Sequence, residues 1–162
     1  MGTPESQHMI REVNLTTARN LSPLYDEAVR DEHPVIIRRG RRERGVLSSR
    51  EQQLRLLAPY ELLVDVIPED ESGGYTLWVR ELDLGEHGVT LAEARAALLD
   101  SVRSYVRYFF LRWDLFQHLP DRVAQEPYVY RLSLATDDHE LAEMLFGSRA
   151  TAPALSSAPP AR

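Results

Sequence analysis

Residues 33–57 read HPVIIRRGRRERGVLSSREQQLRLL, and this stretch decides the fold of the first part of the chain. Pro34 ends any helix before it, because the residue that precedes a proline is pushed towards extended geometry. The β-branched run "VII" then predicts a strand. Two glycines frame "GRRERG" as the turn of a hairpin, so "VLSS" predicts the return strand. Ser48 or Ser49 caps a helix over "SREQQLRLL".

The residues before this stretch predict one more strand and one more helix. Ile10 to Asn14 form a short strand candidate, and Thr16 or Thr17 is the expected N-cap of the helix that follows. The apolar residues of that helix recur at helical spacing: Leu21, Leu24, Tyr25, Ala28 and Val29. The predicted order is strand, helix, hairpin and helix, and Pro59 is a plausible boundary to a second part.

The second part starts with two predicted strands, "ELLVDVIP" and "YTLWVREL", joined by the acidic turn "EDESGG". After a predicted loop, "DLGEHG", Thr90 or the residues before it cap a long helix. "PYVYRLSLA" predicts a further strand, and "TDDHELAEMLFG" a capped helix closed by Gly147. Residues 148–162 are expected to be a disordered Pro/Ala/Ser tail. The stripe of the long helix is Leu91, Ala94, Leu98, Val102, Tyr105, Phe109, Trp113 and Phe116.

The composition is that of a globular protein without a cofactor. The chain has 162 residues, 43% of them hydrophobic and 27% charged. It contains no cysteine, and its five histidines are scattered, so we expect no metal site and no cofactor. The N-terminus lacks a secretion signal, and no stretch is long and apolar enough to span a membrane. We therefore expect a cytoplasmic protein that does not contact membranes.

The charge is distributed unevenly along the chain. The formal net charge is -6, but residues 1–58 carry a net +2 and residues 59–162 a net -8. Five of the arginines lie within "RRGRRER". This asymmetry suggests different partners for the two halves, with a polyanion a candidate for the first.

The first half resembles the Phd/YefM antitoxin domain over residues 10–58. The matching features are "NLTTARNLSPLYDEAV" followed by "HPVIIRRGRRERGVLSSREQQLRLL", which occur in the order and spacing of that family. The resemblance implies a small α/β domain that dimerises, binds a palindromic operator and neutralises a toxin through the residues that follow. Arg19 and Arg39 match by position the arginines that the family uses on DNA.

The chemistry of these arginines agrees with a DNA-binding role. Arg19 in the first turn of its helix could fork onto a guanine, whereas hairpin arginines are suited to phosphates. The alternatives are a surface ion pair of Arg19 with Glu12 or Asp26, and a hairpin that is only a solvated loop. The DNA-binding candidates are Thr17, Arg19, Arg38, Arg39, Arg41, Arg42 and Arg44.

The second half, residues 61–147, resembles the HicB-type antitoxin domain, a truncated relative of the ribonuclease H fold. The resemblance covers residues 61–112 and rests on the two strands, the Gly-Gly turn and the helix opening "TLAEARAALLDSVRSYV". It implies a domain of ββαβ order, here with an unusually long helix, and the acidity of this half suits it to covering the basic surface of a small toxin. The fold class of the whole chain is therefore predicted to be α+β.

Catalysis by this half is not expected. Ribonuclease H chemistry needs carboxylates that converge on two metal ions, whereas the acids here are Asp65 on a strand and Glu69, Asp70 and Glu71 in a turn. Acids of a turn are usually solvated. A nuclease therefore stays only as an alternative, and we predict that the protein is not an enzyme.

These observations predict an antitoxin of a type II toxin–antitoxin system, which represses its own operon as a homodimer or a higher even-numbered oligomer. The expected partners are operator DNA and a small, basic protein toxin. Trp113 and Phe116, near the end of the aromatic stripe, are weak candidates for binding the partner; the alternative is that the stripe is core. The second hypothesis is a stand-alone transcriptional regulator whose C-terminal half oligomerises or senses a ligand.

Overall fold

The computed structural model describes residues 11–14, 21–69 and 73–147. The chain divides into two units, Met1–Leu56 and Leu57–Arg162, here called unit 1 and unit 2. Both units combine one small sheet with helices, so the chain is α+β as the sequence predicts. The N-cap expected at Thr16 or Thr17 lies outside the described residues.

Unit 1 is built on a three-stranded sheet in the order β1-β2-β3, with β1 parallel and β3 antiparallel to the central β2. Its core is small because one face of the sheet packs on one helical segment. The buried residues are Leu24, Ala28 and Val35, packed against Val13, Val29, Ile37 and Leu47. The elements are β1 Arg11–Asn14, α1 Leu21–Tyr25, a π-helical turn Asp26–Arg30, β2 Val35–Arg39, β3 Glu43–Leu47 and α2 Arg50–Leu56.

The hairpin of unit 1 is tighter than predicted. Its turn contains only residues 40–42, and the return strand begins at Glu43. A short turn suffices because Gly40 adopts a positive φ of 64°, which costs glycine little. Arg44 and Gly45 therefore belong to strand β3, which corrects their placement in the loop.

The helix after the hairpin is capped as the sequence predicts. The Ser49 hydroxyl accepts a hydrogen bond from the backbone N–H of Gln52 at 3.0 Å. Ser49 is itself buried, at 2% exposure. Helix α2 is further tied within unit 1 by an ion pair between Arg55 and Glu32 at 2.7 Å.

Unit 2 is a three-stranded antiparallel meander, β4-β5-β6, covered on one face by a long helix. Leu77 and Val79 of the central strand pack with Leu98 and Val102 of that helix, and all four are fully buried. The helix starts at the predicted cap Thr90, and a capping box forms there, in which the Thr90 hydroxyl accepts from the N–H of the third helical residue. The elements are β4 Val64–Pro68, β5 Tyr75–Val79, β6 Leu84–Gly88, α3 Leu91–Leu111, α4 Trp113–Phe116, α5 Pro120–Ser133 and α6 Asp138–Phe146.

Two predicted elements of unit 2 are wrong. Residues 83–88, expected as a loop, contain strand β6, which pairs with β5 from Leu84 to Gly88. Residues 127–135, expected as a strand, lie mostly in helix α5, whose buried residues Gln125, Val129 and Leu132 follow helical spacing. The ββαβ order is therefore corrected to three strands followed, through residue 147, by helices only.

The long helix also ends before the last residues of its predicted apolar stripe. Helix α3 ends at Leu111, and Arg112 leaves helical geometry with φ −108° and ψ 21°. Helix α4 follows this break, and the ring of its Phe116 lies 5.4 Å from that of Phe109. Helix α6 begins at its N-cap Asp137 and is followed by Gly147, as predicted. Among the described residues, no helix combines the length and the apolarity needed to cross a membrane.

Candidate functional site

Strand β2, the turn of residues 40–42 and strand β3 form a hairpin that we call the arginine hairpin. Its arginines lie on both faces of the sheet. Strand register places Arg38 opposite Arg44 and Arg39 opposite Glu43. Because alternate residues of a strand point to opposite faces, Arg38 and Arg44 share the face that bears Val46. Arg39 lies on the other face, the one that packs on α1.

Two neighbouring arginines on adjacent strands raise the positive charge of one sheet face. Like charges directly opposite each other on a sheet repel, and each of these two arginines also has a contact of its own. The same face carries Val46, which is 66% exposed. Arg41 and Arg42 are exposed in the turn at the end of the hairpin. Four arginines thus lie on one face and the tip of a single hairpin.

Arg39 is in a different position from the other four. Its Nε lies 3.8 Å from a carboxylate oxygen of Glu43, and both side chains are largely exposed, at 75% and 72%. An exposed ion pair of this kind is weak and can exchange for another anion. Thr17 and Arg19, the other DNA-binding candidates, lie outside the described residues.

The aromatic residues singled out in the sequence lie in the core of unit 2. Phe116 is 6% exposed and contacts the rings of Phe109 and Tyr108 at 5.4 and 5.7 Å. Trp113 is half-buried with its ring 5.5 Å from Phe109. Phe116 therefore offers a partner almost no surface, in agreement with the core alternative for the stripe.

Arg122 points inward, into a polar cluster beside this core. Arg122 donates hydrogen bonds to the Tyr105 hydroxyl at 2.7 Å and to the Gln125 side-chain oxygen at 3.0 Å. Its guanidinium also lies 5.5 Å from the centre of the Phe116 ring. Burial raises the pKa of the Tyr105 phenol, an effect that the nearby Arg122 opposes. Arg122 is thus occupied by internal contacts.

Residues expected as alternative metal ligands are engaged in structural contacts. Arg80 donates two hydrogen bonds to Asp65, at 2.5 and 2.7 Å, and this contact lowers the pKa of the carboxyl group. Glu69 accepts a hydrogen bond from the Thr76 hydroxyl at 2.8 Å. Asp70 and Glu71 lie outside the described residues. Within the described residues, no group of three or more potential ligands could hold a metal ion.

The sequence and the fold both match known antitoxins. Residues 9–147 match the model of the PHD-like family, described as the antitoxin of a toxin–antitoxin system of the RelE/RelB kind. The chain belongs to this antitoxin family. The family indicates a non-catalytic regulatory protein with a cognate toxin as its partner. Because the match extends across both units, each unit is part of the antitoxin.

A solved structure shares the fold of this antitoxin. It is a crystal structure at 1.80 Å resolution from Syntrophomonas wolfei subsp. wolfei, described as the antitoxin part of a candidate toxin–antitoxin system. The two chains are 23% identical and superpose with a TM-score of 0.68 over 85% of this chain and 97% of the other. At this identity the similarity extends to the fold alone. No protein with a curated description matches the chain.

Proposed function

We propose that this antitoxin represses its own operon as a homodimer, with unit 1 bound to operator DNA and unit 2 bound to the toxin. In this proposal unit 1 is a Phd/YefM-like domain and unit 2 a HicB-like domain whose sheet and first helix persist despite the corrected order. The protein acts in the cytoplasm, where its operator and toxin are present.

The arginine hairpin is the observation that carries the DNA-binding proposal. Arg38 and Arg44 on one face, with Arg41 and Arg42 at the tip, form a concentration of positive charge in an otherwise acidic protein. Phosphate contacts of this kind set affinity and register, and base contacts set sequence preference. We assign the hairpin residues Arg38, Arg41, Arg42 and Arg44 to phosphates, and Thr17, Arg19 and Arg39 to the more specific contacts.

One edge of the unit 1 sheet supports dimerisation. Strand β3 lies at the edge of its sheet, so its outward backbone groups are available for pairing. A dimer doubles the number of arginines that a palindromic operator meets.

Fluorescence anisotropy with DNA from upstream of the antitoxin gene tests the proposal. The double variant R41A/R42A should bind more weakly and reduce the slope of log affinity against log salt by about 4, because the dimer loses four phosphate contacts and each contributes about 0.9. Arg30→Ala is the matched control, since Arg30 is equally exposed in unit 1 but already paired with Asp26 at 3.2 Å.

The Arg19→Ala variant separates the two kinds of contact. It should reduce the difference in affinity between operator and shuffled DNA by about 1–3 kcal/mol while leaving the salt slope nearly unchanged. Equal effects of R19A and R41A/R42A on both quantities would contradict the division of roles. Light scattering of the same samples measures the oligomeric state, and a monomer at operator-binding concentrations would contradict dimeric repression.

A further inference from the structure

Large apolar side chains are unusually exposed where the chain leaves α3, forms α4 and enters α5. Of the seventeen exposed large hydrophobic residues in the described part of the chain, six fall within residues 108–123. Exposure reaches 77% at Leu111 and is 39–48% at the others. We call this set the α3–α5 apolar surface: Tyr108, Phe110, Leu111, Leu115, Leu119 and Val123.

The fold explains why these residues, and not their neighbours, remain outside. Phe109 and Phe116 take the inward positions and Trp113 packs against Phe109, so the other large apolar residues of this segment are turned outward. Backbone hydrogen bonds from Leu115 to Arg112 and from Leu119 to Phe116 wind the segment into consecutive turns. The exposed leucines are therefore held on ordered backbone. Grouped apolar side chains of this kind mark protein-binding sites.

The charges around the apolar surface favour a basic partner. Asp114, Asp121 and Glu126 are exposed, and within the described residues none of their carboxylates has an ion pair or a hydrogen bond. Arg122, in the same segment, is turned inward as described above. The exposed arginines here are Arg112 and, one residue before Tyr108, Arg107. Three unpaired carboxylates thus stand against two arginines beside the leucines, in a half of the chain whose net charge is -8.

We propose that the cognate toxin docks on the α3–α5 apolar surface, through a segment that presents apolar side chains flanked by basic ones. The proposal rests on the toxin-binding role proposed for unit 2 and adds the surface and the chemistry of the partner. A second copy of this chain fits less well, because it would bring unpaired carboxylates towards each other. A bound toxin would also bury the leucines that are exposed in the antitoxin alone.

Toxin binding by surface variants tests the proposal. The full-length antitoxin is titrated with purified toxin in a calorimeter. The variant L115S/L119S should raise the dissociation constant about tenfold or more for each leucine replaced. The matched control is L56S/V89S, since Leu56 and Val89 are at least as exposed, at 65% and 74%, but lie outside the surface. The control should bind toxin within about twofold of the wild type.

The outcomes separate this inference from the proposed function. Failure of the wild-type antitoxin to bind its toxin would overturn both. Normal toxin binding by L115S/L119S would overturn only the surface. Circular dichroism and operator binding of each variant check that the fold is intact. If L115S/L119S fails to fold, D114N/D121N replaces it; this variant should slow association and flatten its salt dependence, and unchanged association would overturn the proposal.

Hydrogen exchange identifies any other occupant of the surface. Amides of residues 108–123 should become protected when toxin is added to the full-length protein. Protection that is already present without toxin and disappears on dilution would mean that a second copy covers the surface. Protection that is lost on removal of residues 148–162 would mean that the tail covers it. Each of these two results would overturn the proposal.

Discussion

Phe109 should be the most costly single truncation in unit 2. Its side chain is fully buried and lies at the centre of an aromatic group, with ring centroids of Tyr105, Trp113 and Phe116 within 6.1 Å. Removal of a buried phenyl ring costs about 3–5 kcal/mol, because lost transfer energy and a residual cavity add together. That is a large share of the about 5–15 kcal/mol by which a typical domain is stable.

Urea denaturation followed by far-UV circular dichroism measures the effect of Phe109→Ala. The matched control is Phe110→Ala, the next residue in the chain, whose side chain is 44% exposed and whose ring meets that of Phe109 at 6.0 Å. We expect this control to cost less than F109A, because its side chain is already partly in water and its one aromatic pair adds only about 0.5–1.5 kcal/mol to the burial of its area. A loss below about 1 kcal/mol for F109A, or equal losses for both variants, would refute the assignment of the core.

Three further changes test other parts of unit 2. Thr90→Ala should cost about 1 kcal/mol in urea denaturation by removing the α3 capping box, whereas Thr90→Ser should restore most of that loss. Gly88→Ala should lower the melting temperature sharply, because an added Cβ would lie 2.3 Å from the backbone N of Ala94; an unchanged melting temperature would contradict the close packing of β6 on α3. Arg80 lowers the pKa of Asp65 in the folded state. Their ion pair therefore stabilises the folded state fully at pH values above the unfolded-state pKa of about 4, and this stabilisation is lost as the pH falls from there through the lower folded-state pKa. The difference in melting temperature between wild type and Asp65→Asn should therefore shrink from pH 7 to pH 3, and a constant difference would contradict the role of this ion pair.

Elements whose signals are local could be predicted from the sequence. The β-branched run before Arg38 forms β2, Ser49 caps α2, Thr90 begins α3, and α6 lies between Asp137 and Gly147. Caps and β-branched runs act within three or four residues, so their effect does not depend on the rest of the fold. For the same reason an antitoxin of a toxin–antitoxin system could be inferred from an ordered set of short motifs.

Strand β6 and helix α5 could not be predicted because their signals are not local. The sequence of β6, "LGEHG", contains a single large apolar residue, and it becomes a strand only by pairing with β5. Helix α5 contains Pro127, which disfavours a helix interior, and the alternation of Tyr128, Val129 and Tyr130 resembles a strand. Burial of Val129 and Leu132 against the α3 core outweighs that local preference.

Among the candidate site residues, the hairpin arginines could be placed from sequence, but their faces could not. The division depends on the strand register, because a shift of one residue would exchange Arg38 with Arg39 and reverse both roles. The turn length fixes that register, and it was shorter than the two glycines suggested. Contacts of Thr17 and Arg19 lie outside the described residues and stay predictions.

The break at Arg112 changes which residues can bind the toxin. In one uninterrupted helix, Trp113 and Phe116 would continue the inward stripe and emerge at its end as a surface. Helix α3 instead ends at Leu111, Phe116 of α4 packs on Phe109 as core, and Leu111 and Leu115 on either side of the break stay outside. The burial of the aromatic rings and the exposure of the leucines thus both go with the same break in the helix. A partner is therefore expected to contact the leucines, while the aromatic residues fix the backbone that presents them.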